Sequence, residues 1–150
     1  MRTLLAALAA LALAAAPASA AAPAPVPAGP GPSAAATAGD AALVRDFLAA
    51  YRDAVRGSDP GLTPSEVRAE WLAPELNARL DAWRAGHPGA DPVFRAATAP
   101  DSWAARPAGS AGGLALVTVD EQWAGGAVLR VRYAVRQSDR TVADLRDTAG

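Results

Sequence analysis

The side chains with the widest chemical scope in this 150-residue chain are one histidine, fifteen carboxylates and four tryptophans, and there is no cysteine. His87 lies between a glycine and a proline, with no serine or carboxylate at the spacing of a catalytic motif. A catalytic triad needs a histidine that a third group orients, so a helix-capping or solvent-exposed role is favoured for His87. Without cysteine, thiolate nucleophiles and cysteine-bound zinc are excluded.

The carboxylates show no pattern typical of a metal site or of an acid–base pair. Asp139, Asp144 and Asp147 lack the spacing and the glycine of a calcium loop. Asp120 and Glu121 are adjacent in a predicted strand and therefore point to opposite faces of the sheet. A glycosidase-like pair of carboxylates is assembled only in the folded chain, so this alternative remains open. The favoured interpretation is that the carboxylates are surface acids that balance the arginines. We predict no catalytic residue, no metal and no cofactor.

The aromatic residues are the feature most open to a functional role, because they could line a pocket or stack on a sugar or a peptide. The candidate pocket residues are Tyr51, Trp71, Trp83, Trp103 and Tyr133. Each buried aromatic side chain removes about 150 to 250 Å² from water. A cysteine-free domain needs such burial to fold, so core packing is favoured over ligand contact.

Three arginines, Arg130, Arg132 and Arg136, lie on one side of a predicted strand with alternating polarity. They could form an interaction face that receives an acidic partner through bidentate contacts. More often such a stripe is the solvated face of a sheet, paired with acids from a neighbouring strand such as Asp120. The solvated face is the favoured interpretation, and the interaction face is the alternative.

The first element that would position these side chains is an amphipathic helix over residues 41–57. Its apolar residues recur at spacings of three and four between Leu43 and Val55. Asp40 is the predicted N-cap, and Gly57 is the predicted left-handed residue after the last turn.

Two shorter helices are expected next. Thr63 and Glu66 have the spacing of a capping box. Pro74 disfavours helical geometry at the residue before it. We therefore predict helices over residues 64–72 and 74–85, with a bend between them.

The remainder of the chain predicts one long loop followed by a sheet. Residues 87–113 have little periodicity and are expected to form an ordered loop, since a loop this long is uncommon unless it packs or functions. After Gly113 the period changes to two, and Gly125-Gly126 can form a hairpin turn. Helices followed by an antiparallel meander predict an α+β domain with N-terminal helices packed on a C-terminal sheet. The predicted strands are 114–123, 128–137 and 140–146.

The N-terminus has the three parts of a secretory signal peptide. Arg2 supplies a basic start, Leu4–Ala16 is an unbroken Leu/Ala run, and Ala18-Ser19-Ala20 fits a signal peptidase. The run is shorter than the roughly 20 apolar residues of a membrane-spanning helix, so we expect cleavage near Ala20, secretion and no membrane span afterwards. We predict a signal peptide over 1–20, a disordered Ala/Pro-rich linker over 21–39 and one α+β domain over 40–150.

The charged residues of the chain indicate which classes of binding partner to expect. All fourteen basic residues are arginine, a usage typical of a GC-rich genome such as that of an actinobacterium. Removal of Arg2 leaves thirteen arginines against fifteen acids, with no block of like charge. We therefore expect no nucleic-acid partner, because phosphate binding needs a clustered basic surface.

Short segments spread over residues 41 to 146 resemble an uncharacterised secreted bacterial family within the nuclear transport factor 2-like superfamily of cone-shaped domains. These segments are 47–51 (FLAAY), 71–76 (WLAPEL), 91–94 (DPVF), 100–103 (PDSW) and 141–145 (TVADL). The resemblance implies a curved sheet wrapped round the first helix, often with a pocket that some relatives use for ligands and a few for catalysis. Such folds usually have four or more strands, whereas the sequence predicts three here. The resemblance supplies no site residue.

The resulting hypothesis is an exported, monomeric or weakly dimeric module that binds a small ligand or a protein partner at the cell envelope or outside the cell. One alternative is a small pocket-based hydrolase or isomerase, so enzyme activity is left open, with a non-catalytic role favoured. Another alternative is a structural or inhibitory protein that acts through surface contacts.

Overall fold

The computed structural model describes residues 32–58 and 60–148, with side chains in the first helix described from residue 38 onward. Three helices precede a four-stranded antiparallel sheet, which confirms the predicted α+β class. The predicted signal peptide and the linker up to residue 31 lie outside the described residues. In the described part, no helix combines the length and the apolarity that crossing a bilayer requires. The helices are α1 (Pro32–Arg56), α2 (Pro64–Trp71) and α3 (Pro74–Gly86).

Helix α1 begins earlier than predicted, so its N-cap is not Asp40. The chain is already helical from Pro32, and Asp40 lies within the helix, 1% exposed, where its Oδ1 accepts a hydrogen bond from Arg140. Alanine-rich sequence has the highest helix propensity, which explains why part of the expected linker is helical. The predicted end is confirmed, since Gly57 has φ 63° and the Ser58 N–H donates to the Asp53 carbonyl.

Helices α2 and α3 follow their predicted signals. The Thr63 hydroxyl accepts from the Glu66 N–H, and the Glu66 carboxylate accepts from the Thr63 N–H, which completes the capping box. The bend falls at Leu72 and Ala73, both in extended geometry. The Ala73 N–H donates to the Val142 carbonyl at 2.9 Å, so the bend between the helices is tied to the last strand.

The sheet contains one strand that was predicted to be loop. Strand β1 lies within the segment 87–113 and pairs with the strand that follows it. The sequence did not predict β1 because Pro107 and Gly109 break the strand pattern. A proline is tolerated here because β1 is an edge strand. The pairing with β2 shifts between Pro107 and Gly109. The strands, in sheet order, are β1 (Ser102–Ala111), β2 (Leu114–Gln122), β3 (Val128–Arg136) and β4 (Thr141–Asp147).

The other three strands match the predicted ones to within one residue at each end. The turn between β2 and β3 places Gly125 and Gly126 at φ 86° and 84°, conformations that favour glycine. The turn after β3 is held by Asp139, whose Oδ1 accepts from the N–H and the hydroxyl of Thr141. The predicted strand over 140–146 is observed one residue later, since Arg140 is a turn residue with φ 56°.

The core lies between the inner face of the sheet and the helices. Residues of β2 alternate between buried and half-buried up to Glu121, so the odd-numbered positions point inward. Helix α1 packs across β1 and β2, while α3 lies near β4. Fully buried residues from these elements and from the loop before β1 include Phe47, Leu48, Leu80, Val93, Phe94, Val117, Val119, Val131 and Val135.

Candidate functional site

A pocket of about 380 Å³ opens where the three helices meet the loop that precedes β1. Helix α1 contributes Tyr51 and Val55, α2 contributes its first turn and Arg68, and α3 contributes Arg84. Residues 89–92 of the loop complete the wall. The pocket therefore draws on four separate parts of the chain, which only the folded structure brings together.

Asp91 organises the loop side of the pocket. Its Oδ1 accepts hydrogen bonds from the N–H groups of Val93 and Phe94, both at 2.9 Å, so the carboxylate caps the turn that sends these two residues into the core. Its Oδ2 accepts the hydroxyl hydrogen of Tyr51 at 2.7 Å. The Tyr51 and Phe94 rings also pack with centroids 5.4 Å apart. These contacts fix the wall of the pocket to α1 and to the core.

The pKa of Tyr51 reflects both signs of charge around the pocket. Burial raises this pKa well above its usual value, and the neighbouring Asp91 carboxylate raises it further. The charges of Arg68 and Arg84 act in the opposite direction. Tyr51 is therefore a neutral hydrogen-bond donor to Asp91 and is within electrostatic reach of two cations.

The two arginines of the pocket differ in their surroundings. The Arg68 side chain is 8% exposed, its Nη2 donates to Asp81 Oδ1 at 2.8 Å, and its buried Nη1 has no partner among the described residues. Arg84 is exposed near the end of α3, and its guanidinium pairs with no described residue. The pocket thus combines an anchored, buried cation with an exposed one that has no ion-pair partner in the described ranges.

A second polar cluster lies on the inner face of the sheet. Glu121 is fully buried, as are its two carboxylate oxygens, which have no partner among the described residues. Burial raises the pKa of Glu121 to about 8, and the charges of Asp147 and Asp91 add to the effect. Tyr133 is also fully buried, and its hydroxyl has no partner in the described part of the chain. Burial, followed by the charge of Glu121, raises the pKa of Tyr133. Neither Glu121 nor Tyr133 lines the pocket.

The structure does not gather the five aromatic pocket candidates in one place. Tyr51 lines the pocket, while Tyr133 is in the core. Trp71 is half-buried, 6.4 Å from the Phe47 ring, and Trp103 lies beneath the Arg52 guanidinium at 4.8 Å. Trp83 stacks on His87, with ring centroids 3.9 Å apart, and also meets the Arg95 guanidinium at 4.4 Å.

The arginine stripe is on the outer face of the sheet, as predicted. Arg130 lies opposite Asp120 in the register and donates to it from Nε at 2.6 Å, which confirms the expected pairing between neighbouring strands. Arg136 pairs with Asp139 and Glu75. Arg132 has no ion-pair partner in the described part of the chain and lines a groove of about 220 Å³.

His87 and the carboxylates give no metal cluster within the described residues. His87 lies just after α3, and its Nδ1 is 2.7 Å from the Trp83 carbonyl oxygen, which matches the helix-capping interpretation. Sequence reasoning missed Arg68, Arg84 and Asp91. Only Asp91 had a local signal, because an aspartate before proline is typical of a side-chain-capped turn.

The chain matches no protein-family model, no curated protein and no solved structure.

Proposed function

We propose that this protein is an exported, non-catalytic module that binds a small ligand in the pocket formed by Tyr51, Arg68, Arg84 and the loop 89–92. The observation that carries the proposal is the pocket itself, about 380 Å³ in volume and lined by both apolar and polar side chains. Ligand sites in proteins typically occupy about 300 to 1,000 Å³ and have a few converging polar groups. The pocket is at the small end of that range, which suits a metabolite-sized ligand.

The fixed walls of the pocket support binding. The carboxylate of Asp91 makes hydrogen bonds to α1 and to the loop, and Arg68 is held by Asp81. A site whose side chains are already ordered loses less conformational entropy when a ligand binds. Binding therefore requires little rearrangement of this region.

Export and the superfamily relationship are part of the same proposal. The leader-like pattern at residues 1–20 supports secretion, and the four-stranded antiparallel sheet packed on α1 supports kinship with the nuclear transport factor 2-like domains. Such domains usually have at least four strands, so strand β1 removes the departure that the sequence alone indicated.

A second candidate function is proton-transfer catalysis by a hydrolase or isomerase. The observation that favours it is Glu121, because a buried carboxyl group with a pKa of about 8 can exchange a proton near neutral pH. Glu121 does not line the pocket, so we rank binding first. If a compound that binds the pocket is also converted, loss of the conversion in Glu121→Gln with binding unchanged would favour the enzyme.

The test of binding is a set of thermal melts in the presence of neutral, anionic and cationic metabolites, in which tryptophan fluorescence reports unfolding. A ligand at a hundredfold excess over its dissociation constant stabilises the folded state by about 2.7 kcal/mol, which raises the melting temperature by roughly 10 °C in a domain of this size. Ala90→Phe places a ring in the pocket and should abolish the shift. Ala85→Phe adds the same ring at an exposed position of α3 that does not line the pocket, so it should leave the shift intact. The proposal would be overturned if no metabolite raised the melting temperature in a way that Ala90→Phe abolishes.

A further inference from the structure

We infer that the ligand of this pocket carries an oxyanion, a carboxylate or a phosphate, that binds against Arg84 above the buried cation of Arg68. This inference rests on the proposed function, because it names the chemical class of ligand for the same pocket. It follows from which hydrogen-bonding groups of the pocket are already used and which are free.

The carboxylate of Asp91, the charged acceptor of the pocket, is largely occupied. Asp91 accepts three hydrogen bonds within 2.9 Å, one from Tyr51 and two from the backbone of the loop. The hydroxyl hydrogen of Tyr51 is itself used in the bond to Asp91. A ligand that offers only donors therefore finds little free capacity on this carboxylate.

The side-chain donors, in contrast, retain capacity with respect to the described residues. The Arg84 guanidinium has five N–H donors in a fixed plane and no ion-pair or hydrogen-bond partner among the described residues. That plane matches the two oxygens of a carboxylate or phosphate. The free hydrogen-bonding capacity of the pocket is thus mainly that of a cationic donor, which an oxyanion complements.

Arg68 adds a second positive charge in a place where water screens it weakly. Its side chain is 8% exposed and the buried Nη1 lacks a partner among the described residues. A buried charge keeps more of its Coulomb interaction than an exposed one. Asp81, the only ion-pair partner of Arg68 in the described chain, is 63% exposed, so its charge is better screened than that of Arg68.

The negative charge of Asp91 sets the orientation of the ligand. Asp91 also lines the pocket and repels an anion, so we place the oxyanion against the arginines rather than against Asp91. The rest of the ligand then extends towards Tyr51 and Val55, which supply an aromatic and an aliphatic surface. The expected ligand is a small organic anion with one charged end.

The experiment is a calorimetric titration of the full chain with four probes: inorganic phosphate, succinate, neutral succinamide and cationic 1,4-diaminobutane. Phosphate or succinate should bind with saturation, and Ala90→Phe should abolish this binding. Arg84→Gln should weaken it by at least about tenfold, the effect of losing one charge-assisted hydrogen bond. Arg45→Gln is the matched control, because Arg45 is exposed on α1 and does not line the pocket; it should change the affinity less than twofold.

The outcomes separate this inference from the proposed function. Binding of succinamide or diaminobutane that Ala90→Phe abolishes, with no binding of either oxyanion, would overturn the inference and leave the pocket as a ligand site. Oxyanion binding that is equally strong in Arg84→Gln would also overturn it. No binding of any probe, together with no shift in the metabolite melts, would overturn both. Preference for phosphate over succinate, or the reverse, identifies which oxyanion the site takes.

Discussion

Replacing Glu121 with glutamine removes a carboxyl group that the fold keeps out of water, and this should change how the stability of the protein depends on pH. In the folded chain the pKa of Glu121 is about 8, against 4.5 for an ordinary glutamate. Burial is the main cause, and the charges of Asp147 and Asp91 contribute. Within residues 32–58 and 60–148, the carboxyl oxygens have no hydrogen-bond partner that would favour ionisation.

The direction of the effect follows from which state releases the proton first. Between pH 4.5 and about 8 the unfolded chain has lost the proton of Glu121 while the folded chain retains it, so rising pH favours unfolding. The contribution of the protonated Glu121 to the unfolding free energy is fully present below pH 4.5 and is lost as the pH approaches 8. At about 1.4 kcal/mol per pH unit, the whole interval corresponds to a loss of about 5 kcal/mol.

The assay is urea unfolding followed by tryptophan fluorescence at pH 5, 6, 7 and 8, on the wild type and on Glu121→Gln. Because other groups also titrate, the informative quantity is the difference in unfolding free energy between the two proteins. Glutamine cannot ionise, so the variant should gain about 1.4 kcal/mol relative to the wild type for each pH unit in this interval. A constant offset is also expected, because the new amide is buried without a partner.

Glu70→Gln is the matched control, since Glu70 is exposed on α2. It should leave the difference from the wild type independent of pH. A difference for Glu121→Gln that is flat from pH 5 to 8 would refute the reasoning, because Glu121 would then be ionised in the folded chain as well as in the unfolded chain over this whole range.

Three further predictions concern the fold and the leader. Asp91→Ala removes the acceptor of three hydrogen bonds and should lower the unfolding free energy by about 2 to 4 kcal/mol in urea titrations, whereas Asp91→Asn, which keeps one acceptor oxygen, should cost less. Arg140→Gln leaves the buried carboxylate of Asp40 without its cation and should cost about 1 to 3 kcal/mol in the same assay; a change within 0.5 kcal/mol would contradict this. Expression of the full chain in a secreting bacterium should give a mature N-terminus near residue 21 by mass spectrometry, and a protein that keeps Met1 would contradict export.

Local signals in the sequence were enough for most elements of the fold. The capping box at Thr63, the break before Pro74 and the glycine after α1 each act through the backbone of a few neighbouring residues. Strand β1 could not be predicted in the same way, because Pro107 and Gly109 argue against a strand unless its position at the edge of the sheet is known.

The sites were less predictable than the fold. The pocket joins Tyr51, Arg68, Arg84 and Asp91 from four elements, and no spacing along the chain connects them. Glu121 did have a signal, because Val117 and Val119 share its position in the alternation of β2 and are the apolar residues that must face the core. The sequence predicted that Asp120 and Glu121 point to opposite faces, and this parity identifies Glu121 as the buried one.

The proline in β1 has a consequence for how copies of the protein meet at high concentration. An open sheet can be extended at its edge by another strand, which is a common start of aggregation. Pro107 in the edge strand β1 has no N–H that could donate to an added strand, and the pairing of β1 shifts between Pro107 and Gly109, so the strand is irregular there. At the opposite edge, the Val142 carbonyl of β4 is already bonded to Ala73. Both edge strands are therefore poorly suited to pair with a strand of another copy, which favours a protein that stays in solution at high concentration.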